Sequence, residues 1–329
     1  ETMGGYHCLG IESTAHTFGA AVVRSDGTIL SNERAMHQTE SGGMIPHEVA
    51  KHHERVKETV VQQALDTAKM SWKDICLISV ANSPGLAPAL RVGVGHAKAL
   101  AQQHGKKIIG VNHCVAHLTI GELTTGLKDP VHIYVSGVNT QVVALSNGYL
   151  RVLGETLDVG LGNALDKFGR DIGLGFPAGP KMEQLAKEGK YIELPYAVKG
   201  MDVSFSGIVT KADRLFKTGI SKEDLCFSLQ ETCFAMLCEV AERALAHTDK
   251  NACVLIGGVA ANKRLCEMMG IMCAARNAKF AAAPIQYAGD QAAMIAWQGI
   301  LEHTAGKEDN PATLDIDPRL RVDEVRITW

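Results

Sequence analysis

The chain is poor in most of what marks a specialised class of protein. Aromatic residues make up only 5% of its 329 positions, and there are 10 prolines. With no repeat period, so few prolines exclude collagen-like and proline-rich low-complexity readings. No run of about 18 uncharged apolar residues occurs, so no transmembrane helix and no membrane partner are expected. Glu1–Tyr6 has neither a basic stretch nor an apolar one, so no secretory signal is expected. Net positive charge is also absent: 33 Lys and Arg against 36 Asp and Glu give −3. No overall field draws in nucleic acid, so such a partner must be held by local patches or by other proteins. The 9 cysteines are odd in number, and none forms a C-x-x-C pair. They read as reduced intracellular thiols, and the expected location is the cytoplasm.

Apolar residues, at 46%, are ample for a core and too many for a disordered chain. At roughly 150 residues per domain the length suggests two domains. Glycine is in surplus, 33 of 329 against a usual share of about 7%. Its positions are therefore the first clue, because it serves turns and close backbone approaches.

Two segments resemble each other. His7–Thr14 leads through a polar turn into Gly19–Val23 and an Asp26-Gly27 turn. His132–Thr140 leads into Gln141–Leu145 and an Asn147-Gly148 turn. Each is a strand, a polar turn, a second strand and a strong hairpin signal. This predicts a duplicated antiparallel ribbon opening each of two related lobes. Between the ribbons, helices are predicted over His47–Met70 and Val92–His104, with strands over Ile75–Ala81 and Lys107–Val111. The second half predicts a long helix over Ser221–His247, a strand over Cys253–Ile256 and a helix from about Asn262. The class is α/β with mixed sheets. The expected division is 6–128, 129–296 and a tail 297–329 packing back on the first lobe, with a linker near Leu127–Pro130.

Several spots carry chemistry. In His113-Cys114-Val115-Ala116-His117 a helix would put both imidazoles on one face, able to reach one metal ion. Cys114 stands where a zincin-type protease needs its glutamate base, which demotes that chemistry. Ser136–Thr140 lies in a tight turn whose N–H groups suit a phosphate. Gly257-Gly258-Val259-Ala260-Ala261-Asn262 follows a strand and opens a helix, a geometry suited to a nucleotide. Asp166 and Asp290 follow glycine-containing turns. For either alone a helix cap is the plainer reading, and Asp290 gains interest as an oxygen ligand completing a two-histidine site. His52-His53 reads as a solvated or partly packed helix face, and Met268, Met269 and Met272 read as core fillers.

As a set, these motifs resemble the Kae1/TsaD/Qri7 family of tRNA N6-adenosine threonylcarbamoyltransferases, in wording closest to the archaeal and eukaryotic Kae1 branch. The resemblance runs from Leu9 to Trp329. It is carried by Leu9–Thr17, Gly110–His117, Tyr134–Gln141, Gly162–Phe168, Ser204–Gly207, Gly257–Asn262 and Gly289-Asp290. It implies an actin-like (ASKHA) fold, two RNase-H-like lobes with a central nucleotide and metal cleft. It implies one divalent metal per subunit, Fe2+ or Zn2+, on His113, His117 and Asp290, with Tyr134 close to or on the metal. It places the adenine nucleotide (threonylcarbamoyl-AMP, or ATP) against Tyr134, Val135, Ser136, Gly137, Val138, Asn139, Asp166, Gly179, Glu183 and Asn262. The implied reaction is acyl transfer: the threonylcarbamoyl group passes to N6 of adenosine 37 in ANN-decoding tRNAs. Glu12 is the candidate catalytic side chain for the amine proton. The implied partners are tRNA and a KEOPS assembly with a Bud32-type kinase, a Cgi121-type tRNA binder and a Pcc1-type dimeriser.

The chain departs from the family wording at four glycines, where it has Val138, Ala178, Ala292 and Ala87. An added Cβ strains a turn of positive φ or crowds a ligand. These losses favour an alternative, a nucleotide-binding scaffold subunit that has kept the fold with a weakened site. A second alternative is an ASKHA small-molecule kinase, which leaves the His-His-Asp set unexplained.

Overall fold

Leu9 faces Val22 and Ile11 faces Ala20 across an antiparallel pair formed by β1 (His7–Glu12) and β2 (Thr17–Arg24). Both strands are buried almost throughout, which is why they read as near-continuous apolar runs. They belong to a computed structural model that describes residues 5–38, 45–175 and 177–329. Its chain divides into two compact units, Glu1–Leu123 with Asp290–Trp329, and Thr124–Gly289.

In the first unit β3 (Ile29–Met36) extends the ribbon antiparallel to β2. α1 (Pro46–Ala68) follows, with proline in its first turn and Lys69 closing it in the left-handed conformation. β4 (Ile75–Ser83) runs parallel to β1. α2 (Ala87–His104), β5 (Lys107–Asn112) and α3 (His113–Thr125) complete the run, β5 being parallel to β4. The strand order is β3-β2-β1-β4-β5. α2 begins five residues before the expected Val92, because Pro88 occupies its first turn, where a missing N–H costs nothing. His53 is fully buried rather than solvated: its Nε2 lies 2.8 Å from the Ala15 carbonyl oxygen and its ring meets Phe18 edge-on.

The second unit repeats the plan. β6 (Val131–Val135), β7 (Thr140–Ser146) and β8 (Tyr149–Glu155) form the antiparallel ribbon. α4 (Leu161–Asp171) and α5 (Gly179–Ala186) lead to the short pair β9 (Val198–Lys199) and β10 (Asp202–Val203). α6 (Ser206–Lys217) and α7 (Lys222–Thr248) precede β11 (Ala252–Ile256). α8 (Lys263–Ala275), β12 (Lys279–Ala282) and α9 (Ile285–Ala288) end the unit. The order β12-β11-β6-β7-β8, with β11 parallel to β6 and β12, is that of the first sheet. The duplicated ribbon read in the sequence thus extends to a duplicated five-stranded sheet. Ser221 caps α7 by accepting from the Asp224 N–H, which starts the helix where its sequence predicts.

The chain returns to the first unit through α10 (Ala292–Thr304), so the expected boundary at 296 falls inside this helix. Beyond it Asp309 accepts from the Gly110 N–H, and the Asp317 N–H donates to the Asn82 carbonyl, tying the terminal segment to β5 and β4. No helix among the described residues is long and apolar enough to cross a membrane.

α10 lies directly on β1. A Cβ at Gly10 would stand 2.4 Å from the Ala292 carbonyl oxygen and 2.5 Å from the Ala296 nitrogen. Helix backbone cannot yield as a flexible side chain can, so Gly10→Ala should destabilise the protein by roughly 1–3 kcal/mol or more. Urea denaturation followed by circular dichroism checks this, and an unchanged midpoint would refute the close approach.

Candidate functional site

Three chemistry-bearing side chains meet in the first unit, although one of them lies far along the chain from the others. Asn112 ends β5 and caps α3, its Oδ1 accepting from the Val115 N–H. The cap starts the helix at His113, so His113 and His117 fall one turn apart on one face. Their Nε2 atoms are 3.2 Å apart. Asp290 Oδ1 lies 3.4 Å from His113 Nε2 and 3.2 Å from His117 Nε2. These atoms form a group able to hold a metal ion. A triangle of such sides has corners that a first-row ion reaches at roughly 2 Å, the ordinary Zn–N and Zn–O length.

His113 Nδ1 donates to Glu12 Oε2 at 2.9 Å, because a carboxylate only accepts. In a neutral ring that leaves a lone pair on Nε2, facing the Asp290 carboxylate and calling for positive charge between them. Burial alone would lower the His113 pKa, but the charges of Glu12 and Asp290 and their hydrogen bonds hold it well above the usual imidazole range. His117 is lowered by burial and by the neighbouring His113 charge. Burial would raise the Asp290 carboxyl, yet the two histidines keep it well below the usual carboxylate range. A divalent cation answers the same demand, so the donors fit a metal.

Glu12 is fully buried at the end of β1. Its Oε1 accepts from the Thr14 N–H at 2.7 Å and from the Thr14 hydroxyl at 2.5 Å. Both carboxylate oxygens are therefore engaged, one of them in orienting His113. The sequence alone offered Glu12 as a proton acceptor, and its contact with His113, across 101 residues, had no local signal.

The nucleotide candidates gather in the second unit, at the end of β6. In the β6–β7 turn Ser136 Oγ accepts from the Asn139 N–H. The turn seats the start of α4: the Gly162 N–H donates to the Ser136 carbonyl and the Asn163 N–H to that of Gly137. Gly257 has φ +101°, and a Cβ there would stand 2.2 Å from the Val135 carbonyl oxygen, so glycine is required. Asn262 caps α8 through the Leu265 N–H. Glu183 accepts from the Lys263 N–H, and Asp166 from the Ala178 N–H, which ties α5 to α8 and to α4. Space in front of Gly179 and Gly258 is open. Tyr134 and Val135 are buried on β6.

The missing glycines create no backbone strain. Val138, Ala178, Ala292 and Ala87 are all outside the residues of positive φ. Val138 is 71% exposed. Ala178 is helical at φ −86°, Ala87 begins α2, and Ala292 is buried against Gly10 and Gly19.

Several known proteins are similar to this chain. Residues 28–297 match the family of TsaD, tRNA N6-adenosine threonylcarbamoyltransferase. A protein of that name from Thermococcus sibiricus is 51% identical over 323 residues, 98% of this chain and 99% of the relative. One from Thermofilum pendens is 49% identical over 323 residues, 98% and 96% of the two chains. A probable bifunctional tRNA threonylcarbamoyladenosine biosynthesis protein from Methanosphaera stadtmanae is 47% identical over 326 residues, 98% of this chain and 60% of its own. Among solved structures, HypF from T. kodakarensis is similar with TM-score 0.63 at 15% identity, covering 92% of this chain and 48% of HypF. The (R)-2-hydroxyglutaryl-CoA dehydratase component A of Acidaminococcus fermentans gives 0.56 at 12%, covering 91% and 99%. These structural likenesses show the fold, the actin-like α/β class expected from the sequence.

Removing the Glu12 charge should loosen His113. Glu12→Gln is expected to weaken divalent metal binding by about 10- to 100-fold, as such outer partners commonly do. Zinc titration against a competing chelator measures it, and unchanged affinity would refute the orienting contact.

Proposed function

We propose, because this chain belongs to the tRNA N6-adenosine threonylcarbamoyltransferase family, that it transfers the threonylcarbamoyl group of threonylcarbamoyl-adenylate to N6 of adenosine 37 in ANN-decoding tRNAs. The observation that carries the reading is the convergence of His113, His117 and Asp290, with ligand atoms within 4.8 Å of one another. A two-histidine, one-carboxylate set suits Zn2+ or Fe2+. The ion, when bound, supplies Lewis-acid stabilisation of developing negative charge.

The remaining work falls to the chain itself. The amine nitrogen attacks the carbamoyl carbon, the bond from that carbon to the phosphate oxygen breaks with its electron pair staying on AMP, and the nitrogen gives up its proton to the departing phosphate or to water. The backbone N–H groups of Ser136 and Asn139 close the turn on itself, so those of Gly137 and Val138 would hold the phosphate side of the adenylate, and the open faces of Gly179 and Gly258 would admit its nucleoside. Binding energy there serves positioning. Asp166, Glu183 and Asn262 brace the walls of this cradle through the amides they hold. Glu12 acts as a positioning residue for His113, because both its oxygens are already engaged. Tyr134 stands as a further candidate ligand on the resemblance alone.

The absence of positive φ at Val138, Ala178, Ala292 and Ala87 supports a catalytic subunit over a weakened scaffold. The net charge of −3 supports sharing tRNA binding with other proteins, in a KEOPS-like assembly of the partners named above. The nine free cysteines support a reducing cytoplasmic location.

Metal-loaded protein with accessory subunits, supplied with threonylcarbamoyl-adenylate and ANN-decoding tRNA, should produce the modified nucleoside. No product from folded, metal-loaded protein would sink the transferase reading. His117→Ala or Asp290→Ala should lower kcat/KM more than about 100-fold, the worth of several kcal/mol of charge stabilisation. Val138→Gly should change the rate by no more than about twofold, as for exposed, unstrained positions. A large gain on restoring that glycine would instead favour the scaffold alternative.

A further inference from the structure

Resting on the metal site proposed above, we infer that a polar chain, buried at Thr119, Gln298 and Glu302 and closed by the exposed Lys307, sets the position of Asp290 relative to His113 and His117. Thr119 lies on α3 just beyond His117, and its hydroxyl donates to Gln298 Oε1 at 2.8 Å. Gln298 is fully buried on α10, and its amide donates to Glu302 Oε1 at 2.8 Å. Lys307 Nζ donates to Glu302 Oε2 at 2.7 Å and to the Gly110 carbonyl on β5 at 2.7 Å. The chain therefore ties α10, which follows Asp290, to the helix holding both histidines and to the strand that delivers them.

Its polarity runs one way only. Ionised Glu302 accepts and cannot donate, so the Gln298 NH2 must face it. The Gln298 carbonyl is then turned toward α3, where it requires a donor, and Thr119 supplies one. The Gln298–Glu302 bond lies within α10 and moves with it, but a slip of the helix by one residue would break the Thr119–Gln298 bond and leave buried polar groups unpaired, which is costly. An apolar residue at 298 would pack without that risk, but it would not fix the register. The N-terminal end of α10 is pinned as well: Gln291 accepts from the Met294 N–H, and Asn32 Oδ1 accepts from the Ala293 N–H. Asp290, next to this anchored turn, takes its place relative to His117 from the position of α10. Ser79 adds a bond to the Ile295 carbonyl at 2.7 Å, but it links α10 to β4 and not to the histidine helix. Thr119 and Gln298 are thus positioning residues, acting through the histidines and the carboxylate.

The test uses the full chain with cobalt(II) as the probe, read by its visible absorption and by its rate of release to a chelator. Thr119→Val and Gln298→Met should each weaken cobalt binding by about 10- to 100-fold and speed its release. Thr119→Ser should stay near the parent protein, and the double variant should be no worse than the poorer single one. Val60→Ala, on the buried face of α1, serves as a control that lowers stability without touching these hydrogen bonds. Unchanged cobalt affinity and spectrum in Thr119→Val overturn the inference, as does equal weakening in Val60→Ala. If Gln298→Met does not fold, the Thr119→Val and Thr119→Ser pair decides. A parent protein that takes up no cobalt overturns the metal site and this inference together. One that binds cobalt, yet transfers nothing to tRNA, sinks the transferase reading alone.

Discussion

The seating of α10 on the first sheet is the constraint on which the candidate metal site depends. Asp290 is separated from His117 by the whole second unit, yet their ligand atoms are 3.2 Å apart. Nothing local brings them together. α10 reaches that position because Gly10 has no side chain, leaving room for the Ala292 carbonyl and the Ala296 nitrogen. Gly299 does the same over Ser79, where a Cβ would stand 2.4 Å from the hydroxyl oxygen. Close packing of this kind is stiff and transmits strain, so small residues at the contact set ångström-scale geometry several residues away.

Around that contact the two units use one plan for different ends. Each has an antiparallel ribbon beside parallel strands, in the same order. In the first unit the end of β1 and the turn after it carry Glu12 and Thr14, which bond to each other and face His113. In the second, the equivalent turn after β6 exposes Ser136–Asn139 against the start of α4. A strand end is a natural place for either purpose: side chains and backbone donors project from it, while the sheet behind holds them rigid.

The buried charges follow from this division. Glu12 and Asp290 surround His113, and their combined pull outweighs the cost of burying a cation. A lone buried imidazole would lose its charge, as the lowered pKa of His53 illustrates, pushed down to about 4 chiefly by burial. One chain thus contains two kinds of buried histidine. His53 serves packing and a single backbone contact, and His113 serves a charged site.

The local pieces were legible in the order of the residues. Alternation and turn chemistry marked the two ribbons, and Ser221 and Asn262 marked two helix starts, because strand faces and helix caps are set by neighbours within a few residues. The i, i+4 spacing of His113 and His117 already put both rings on one helical face. The motif set pointed to the family, and with it to Asp290 as the third ligand. The folded chain alone shows that Glu12 has both oxygens occupied and that Val138 points to solvent. It also decided that α10 belongs with the first unit rather than ending the second. Each of these is a question of which distant surfaces meet, and the answer lies in how helices fit onto sheets, not in the period of any one segment.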